Sequence, residues 1–141
     1  MLYLTGISDL GAPLENIIIN NFDVEKSSIG MGGHIGLQPD ISLRYIGSGI
    51  YFSDMAEQSI YYCLKPRYLG TGTDFVILVC EVTLGRCYEM ERTKETYNCS
   101  KYNGYDSHST YYRQGDKVGH EYCIFDSEQI LPVCRLHLKV A

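Results

Sequence analysis

The sequence contains no apolar run near the ~20 residues that a membrane-crossing helix needs, so no membrane span is expected. Residues Met1 to Pro13 show no basic stretch followed by a long apolar one, so no secretory leader is expected there. Positive charge is scarce as well. Twelve Lys and Arg stand against 17 Asp and Glu, for a formal net charge of −5. That balance disfavours a dedicated nucleic-acid backbone binder. The basic residues also form no dense cluster, which argues against a polybasic membrane patch. None of the cysteines Cys63, Cys80, Cys87, Cys99, Cys123 and Cys134 forms a CxxC pair. A zinc knuckle is therefore not expected, although a dispersed site stays open. Cys80, Cys123 and Cys134 sit in apolar, strand-like runs and read as buried free thiols. Free thiols fit a reducing, intracellular compartment, whether cytoplasmic or nuclear, and a delivered effector would work there too. Their even number leaves disulfides open.

What is present is an ordinary globular balance: 45% hydrophobic and 21% charged residues in 141. That length fits one domain over residues 1–141, able to bury roughly two-thirds of its unfolded surface without staples. No repeat, low-complexity tract or linker interrupts it. Leu2-Tyr3-Leu4 reads as a short strand ending at Thr5-Gly6. Pro13 suits the first turn of a helix, and Leu14, Ile17 and Ile18 continue at helical spacing until Asn20-Asn21. Residues 23–47 are glycine-rich and predict a long functional or mobile loop. Gly49 to Phe52 reads as a strand, after which Asp54 and Glu57 have the spacing of a capping box for a helix ending at Pro66. Phe75 to Leu84 reads as a central strand. The stretch 86–118 is polar and tyrosine-rich, and loops are expected at 95–118. Tyr122 to Phe125 is another strand. Val133 to Val140 alternates, with Cys134, Leu136, Leu138 and Val140 on the face expected to be buried. Strands outnumber helices, and the class is α+β.

Gly49-Ile50-Tyr51-Phe52-Ser53-Asp54, followed by Ser59 and Tyr62-Cys63, resembles the poly(ADP-ribose) polymerase superfamily of diphtheria-toxin-like ADP-ribosyltransferases. Three further segments keep the family's order: Val79 to Gly85, the Gly104-Tyr105-Asp106-Ser107 turn, and His120 to Asp126. The resemblance covers nearly the whole chain. It implies two packed, mostly antiparallel sheets forming an NAD-binding cleft with few helices. It also implies a transferase that splits NAD⁺, releases nicotinamide and moves ADP-ribose, with no metal. By the same resemblance the catalytic residues are Glu121, Tyr51 and Thr5, and the NAD⁺ contacts are Thr5, Gly6, Tyr51, Ser59 and Tyr62.

The chemistry accounts for these residue types. Loss of nicotinamide leaves an oxocarbenium-like ribose, the electronic problem that glycosidases meet with carboxylates. A carboxylate at Glu121 would stabilise that charge and could take the acceptor's proton. Tyr51 and Tyr62 would sandwich the flat nicotinamide cation. The Gly6 backbone and the Ser59 hydroxyl would bind its carboxamide. Each residue also has a plainer reading. Glu121 would be a solvated strand-end carboxylate paired with a lysine such as Lys117, Tyr51 and Tyr62 core aromatics, and Ser59 a helix serine bonding its own backbone. The family's triad begins with a His before that Gly, where this chain has Thr5. Thr5 could serve through its hydroxyl, or His34 could reach in from the glycine-rich loop. Otherwise the domain is a pseudoenzyme that binds NAD⁺, ADP-ribose or protein. His120 is a poor substitute, because strand neighbours point to opposite faces. The expected partners are NAD⁺ and a protein acceptor, with Tyr105 contacting the acceptor or walling the nicotinamide end. A nucleic-acid acceptor stays open, as do polymerisation and NAD⁺ hydrolysis.

Overall fold

The computed structural model describes residues 2–7, 12–24, 46–64, 71–91 and 99–141. In chain order these form β1 (Leu2–Ile7), α1 (Ala12–Asn20), β2 (Ile50–Ser53), α2 (Ala56–Leu64), β3 (Asp74–Val82), β4 (Cys87–Glu89), β5 (Ser107–Gln114), β6 (Lys117–Ile124) and β7 (Ile130–Lys139). The strands hydrogen-bond in the order β4-β5-β6-β2-β1-β3-β7. The β4–β5 pair is parallel and the others are antiparallel. This is the mostly antiparallel α+β architecture with few helices that the sequence implies. Its two halves, β4-β5-β6-β2 and β1-β3-β7, meet at the single register pair Leu4↔Ser53, so the expected two sheets run on as one ladder.

Side-chain alternation assigns the two faces. On one face Tyr3, Val76, Leu78 and Cys80 pack with Ile50, Phe52, Tyr122 and Ile124 from the other half, under Leu14 of α1 and Phe22. This is the main core. α1 stops where expected. Asn21 takes φ +67, a left-handed conformation that Asn tolerates. Its backbone N–H still donates to Ile17 O at 2.9 Å. Its side-chain amide donates to Ser127 O at 3.0 Å and Ile130 O at 2.8 Å, which ties the helix end to the start of β7.

The opposite face carries α2, which packs against β1, β2 and β3. Ile60 of α2 seats against Phe75 and Ile77. Ser53, Leu4 and Val79 stand in one lateral row, so these β3 residues share a face with Ser53. The cap of α2 differs from expectation. Asp54 turns to β6, its carboxylate accepting from the His120 backbone N–H at 2.7 Å and meeting the His120 ring nitrogen at 3.0 Å. Ser53 Oγ accepts from Met55 N–H at 3.0 Å instead, and the helix starts at Ala56.

Two other expectations change. Residues 107–114, expected as loop, are strand β5, which forms a hairpin with β6 through Gly115 at φ +62. Among the described residues β7 is an edge strand paired with β3, and Cys134 and Leu136 are exposed on it, whereas Cys80 and Cys123 are buried as expected. Burial pushes the Cys80 thiol up to about 12, with the nearby Cys134 adding to the shift. Residues 25–45, with His34, and the predicted helix stop at Pro66 lie outside the described residues. Among the described residues no helix is long and apolar enough to cross a membrane.

Candidate active site

On the α2 face two lateral rows of side chains run across the strands. One contains Tyr88, His108, Cys123 and Tyr51, from β4, β5, β6 and β2. The next contains Thr110, Glu121 and Ser53, and continues through the Leu4 and Val79 positions. Tyr51 and Glu121 are therefore diagonal neighbours on one face, a separation of about 7–8 Å between Cα atoms in an antiparallel pair.

Glu121 is only 5% exposed. A solvated strand-end carboxylate would not be. Lys117, the lysine named as its plain partner, forms a surface ion pair with Glu57 instead. That lysine holds the Glu57 carboxyl below its usual value, mainly by hydrogen bonding. Ser53 flanks Glu121 with its own hydroxyl committed, donating to His120 O at 3.1 Å. His120 sits on the other face, its ring stacked 6.0 Å from that of Tyr122.

Tyr51 is half-buried, and its hydroxyl is clasped by the chain just before β2. It accepts from Ile46 N–H at 2.9 Å and donates to Gly47 O at 2.7 Å. The ring packs with Cys123, Ile46 and Met90. Burial pushes the Cys123 thiol up, and its contact with the Tyr51 hydroxyl acts the other way. Two glycines make this approach possible. At Gly47 the φ is +134 and a Cβ would meet Phe125 Cζ at 2.7 Å. At Gly49 a Cβ would meet Ile124 O at 2.4 Å and Cys123 Sγ at 2.7 Å.

Ser59 is buried on α2, the helix lying on this same face. Tyr62 lies one turn on, within α2, and its side chain is outside the described set. Thr5 and Gly6 are placed by their backbones, opposite Leu78 and Ile77 on β3. Tyr105 packs edge-on against Tyr88, with ring centroids 4.9 Å apart, and Arg86 lies over its ring at 5.2 Å. Among the described residues no cluster of three or more His, Cys, Asp or Glu could hold a metal ion.

One participant escaped sequence reasoning. His108 is fully buried in the Tyr51 row, and its Nδ1 donates to Ile46 O at 2.7 Å. Three residues of β-prone character, Thr110-Tyr111-Tyr112, offered a signal for its strand.

The model of the poly(ADP-ribose) polymerase catalytic domain matches residues 12–117, most of the chain. The chain belongs to that family. A 44-residue segment is also 46% identical to poly [ADP-ribose] polymerase 2 of Homo sapiens, covering 31% of this chain and 7% of that protein. Members of the family use NAD⁺ as co-substrate and need no metal. The family match spans Tyr51, Ser59 and Tyr62. It stops short of Glu121 and begins after Thr5 and Gly6, so Glu121 rests on its sequence motif and the geometry above, and Thr5 and Gly6 on the sequence resemblance.

Proposed function

We propose that this domain is an NAD⁺-dependent ADP-ribosyltransferase that transfers one ADP-ribose to a protein acceptor and releases nicotinamide. The observation that carries the reading is a buried carboxylate, Glu121, on one face with Tyr51 and in the adjoining row. In the reaction the bond between nicotinamide nitrogen and ribose carbon breaks. The acceptor's oxygen or nitrogen bonds to that carbon and loses a proton. Glu121 offers charge to the electron-poor ribose and a base for that proton. Tyr51 walls the nicotinamide end, with Tyr62 as the opposing ring, and Ser59 and the Gly6 backbone bind the carboxamide. Thr5 is assigned to the adenine-side ribose by the family resemblance alone, since its register partner Leu78 belongs to the main-core face. The Gly104-Tyr105-Asp106-Ser107 turn favours one transfer over chain growth, and the acidic charge balance favours a protein acceptor.

Thr5 also supports a second reading. Where the family has an imidazole, this chain has a shorter group with one hydroxyl. A module that binds NAD⁺, ADP-ribose or protein without turnover would tolerate that change. Incubating the purified protein with NAD⁺ separates the two readings. The transferase releases nicotinamide and leaves a mass of one ADP-ribose on an acceptor or on itself. Binding of NAD⁺ without nicotinamide release would establish the module, and release without any adduct would establish a hydrolase.

A further inference from the structure

We infer that His108 is a positioning residue for Tyr51, pinning the Ile46–Gly47 segment that clasps the Tyr51 hydroxyl and thereby setting NAD⁺ affinity. This rests on the reading of Tyr51 as a wall of the nicotinamide site.

His108 is fully buried, and both ring nitrogens are used. Nδ1 stands 2.7 Å from Ile46 O, an atom that can only accept. Nε2 accepts from Tyr102 N–H at 3.1 Å, so it cannot carry a proton of its own. The partners therefore select one species, the neutral imidazole protonated at Nδ1. Cys99 Sγ lies farther from Nδ1, at 3.9 Å. Burial, which outweighs the help of the Ile46 carbonyl, holds the ring below its usual value and favours the same neutral form. Three aromatic rings fix its plane, with centroids at 4.7 Å for Phe125, 4.8 Å for Tyr102 and 6.2 Å for Tyr88.

Ile46 is thus held at both ends. His108 takes its carbonyl, and Tyr51 Oη takes its N–H at 2.9 Å. The Tyr51 hydroxyl then closes onto Gly47 O at 2.7 Å. His108, Cys123 and Tyr51 form one row, so His108 and Tyr51 grip the same short segment from two sides of a thiol. If the Ile46 carbonyl is released, the N–H and carbonyl that fix the Tyr51 ring can shift with it. A hydrophobic residue at position 108 could fill the space but could not donate.

Two substitutions separate donation from packing. The Asn amide stands where Nδ1 stands and can donate to Ile46 O, whereas the Gln amide reaches the Nε2 position and serves Tyr102. His108→Gln is expected to raise the Kd and KM for NAD⁺ about tenfold, the scale of one lost hydrogen bond, with kcat changed far less. His108→Asn should recover most of that loss. Equal affinity in His108→Gln and wild type overturns the inference, as does an equal loss in both variants, which would indicate packing alone. If neither variant folds, imidazole nitrogen shifts in the wild type decide it: a protonated Nδ1 with a bare Nε2 supports the clasp, and the reverse overturns it. If the wild type binds no NAD⁺, the site reading falls and the affinity claim with it. The clasp itself is then judged by exchange of the Ile46 amide. Faster exchange in His108→Gln but not in His108→Asn upholds it, and no difference rejects it.

Discussion

Tyr51 and Ile46 hold each other at the entrance to β2, the Ile46 N–H donating to the tyrosine hydroxyl at 2.9 Å. Ile46 is fully buried, so no water replaces that acceptor easily. Tyr51→Phe should therefore cost about 1–3 kcal/mol of stability, the penalty of a buried donor left unmade. It should also weaken NAD⁺ binding. Urea unfolding checks the first expectation, and an unchanged midpoint would show that the clasp contributes nothing.

Gly49→Ala should be at least as harmful. Its Cβ would stand 2.4 Å from Ile124 O, a backbone atom of the adjoining strand. The β2–β6 ladder would have to open at the row that holds Tyr51 and Cys123. A loss of about 1–3 kcal/mol is expected, read by thermal or urea unfolding. A stable, active variant would mean that the two strands can separate without consequence.

His108 predicts a pH dependence of stability. Burial lowers its folded-state value, so the unfolded chain takes up the proton first as pH falls. Its stabilising effect is complete above the ordinary imidazole value near 6.5 and is lost as pH falls below it. Wild type should lose more melting temperature than His108→Gln between pH 7.5 and pH 5.5. Parallel curves for the two proteins would remove His108 as the titrating group.

How far the sequence reveals this arrangement differs by segment, for physical reasons. β3 was legible because its run Phe75–Leu78 is buried on both faces and therefore apolar throughout. The Tyr51 strand and its glycines were legible through the motif. β5 was hidden because the residues it buries are polar: Ser107, His108, Ser109 and Thr110. Their burial depends on partners far along the chain, such as Leu84 O for Ser107 at 2.7 Å. Alternation in β7 reveals a strand but not its exposure, since an edge position leaves Leu136 and Cys134 exposed. Asp54 has the spacing of a helix cap, yet the adjoining strand supplies it with the His120 N–H instead.

Thr5→His should lower the KM for NAD⁺. A ribose hydrogen bond is worth roughly 0.5–1.5 kcal/mol, or up to about tenfold in affinity. The reacting ribose is the other one, so kcat should change less. Titration with NAD⁺ in a nicotinamide-release assay reads both constants. Weaker binding in Thr5→His would mean that the site is built around threonine.

Glu121→Gln tests the central claim most directly. The swap keeps size and removes the charge that the oxocarbenium-like ribose needs. Nicotinamide release and ADP-ribose transfer should fall by about 10²-fold or more, on the scale of losing one electrostatic stabiliser. NAD⁺ affinity should fall far less, because the charge develops after binding. Melting should stay within a few degrees of wild type. Measured side by side, a folded Glu121→Gln protein that binds NAD⁺ and does not turn it over is the expected result. A folded Glu121→Gln protein that turns NAD⁺ over at the wild-type rate would contradict the account.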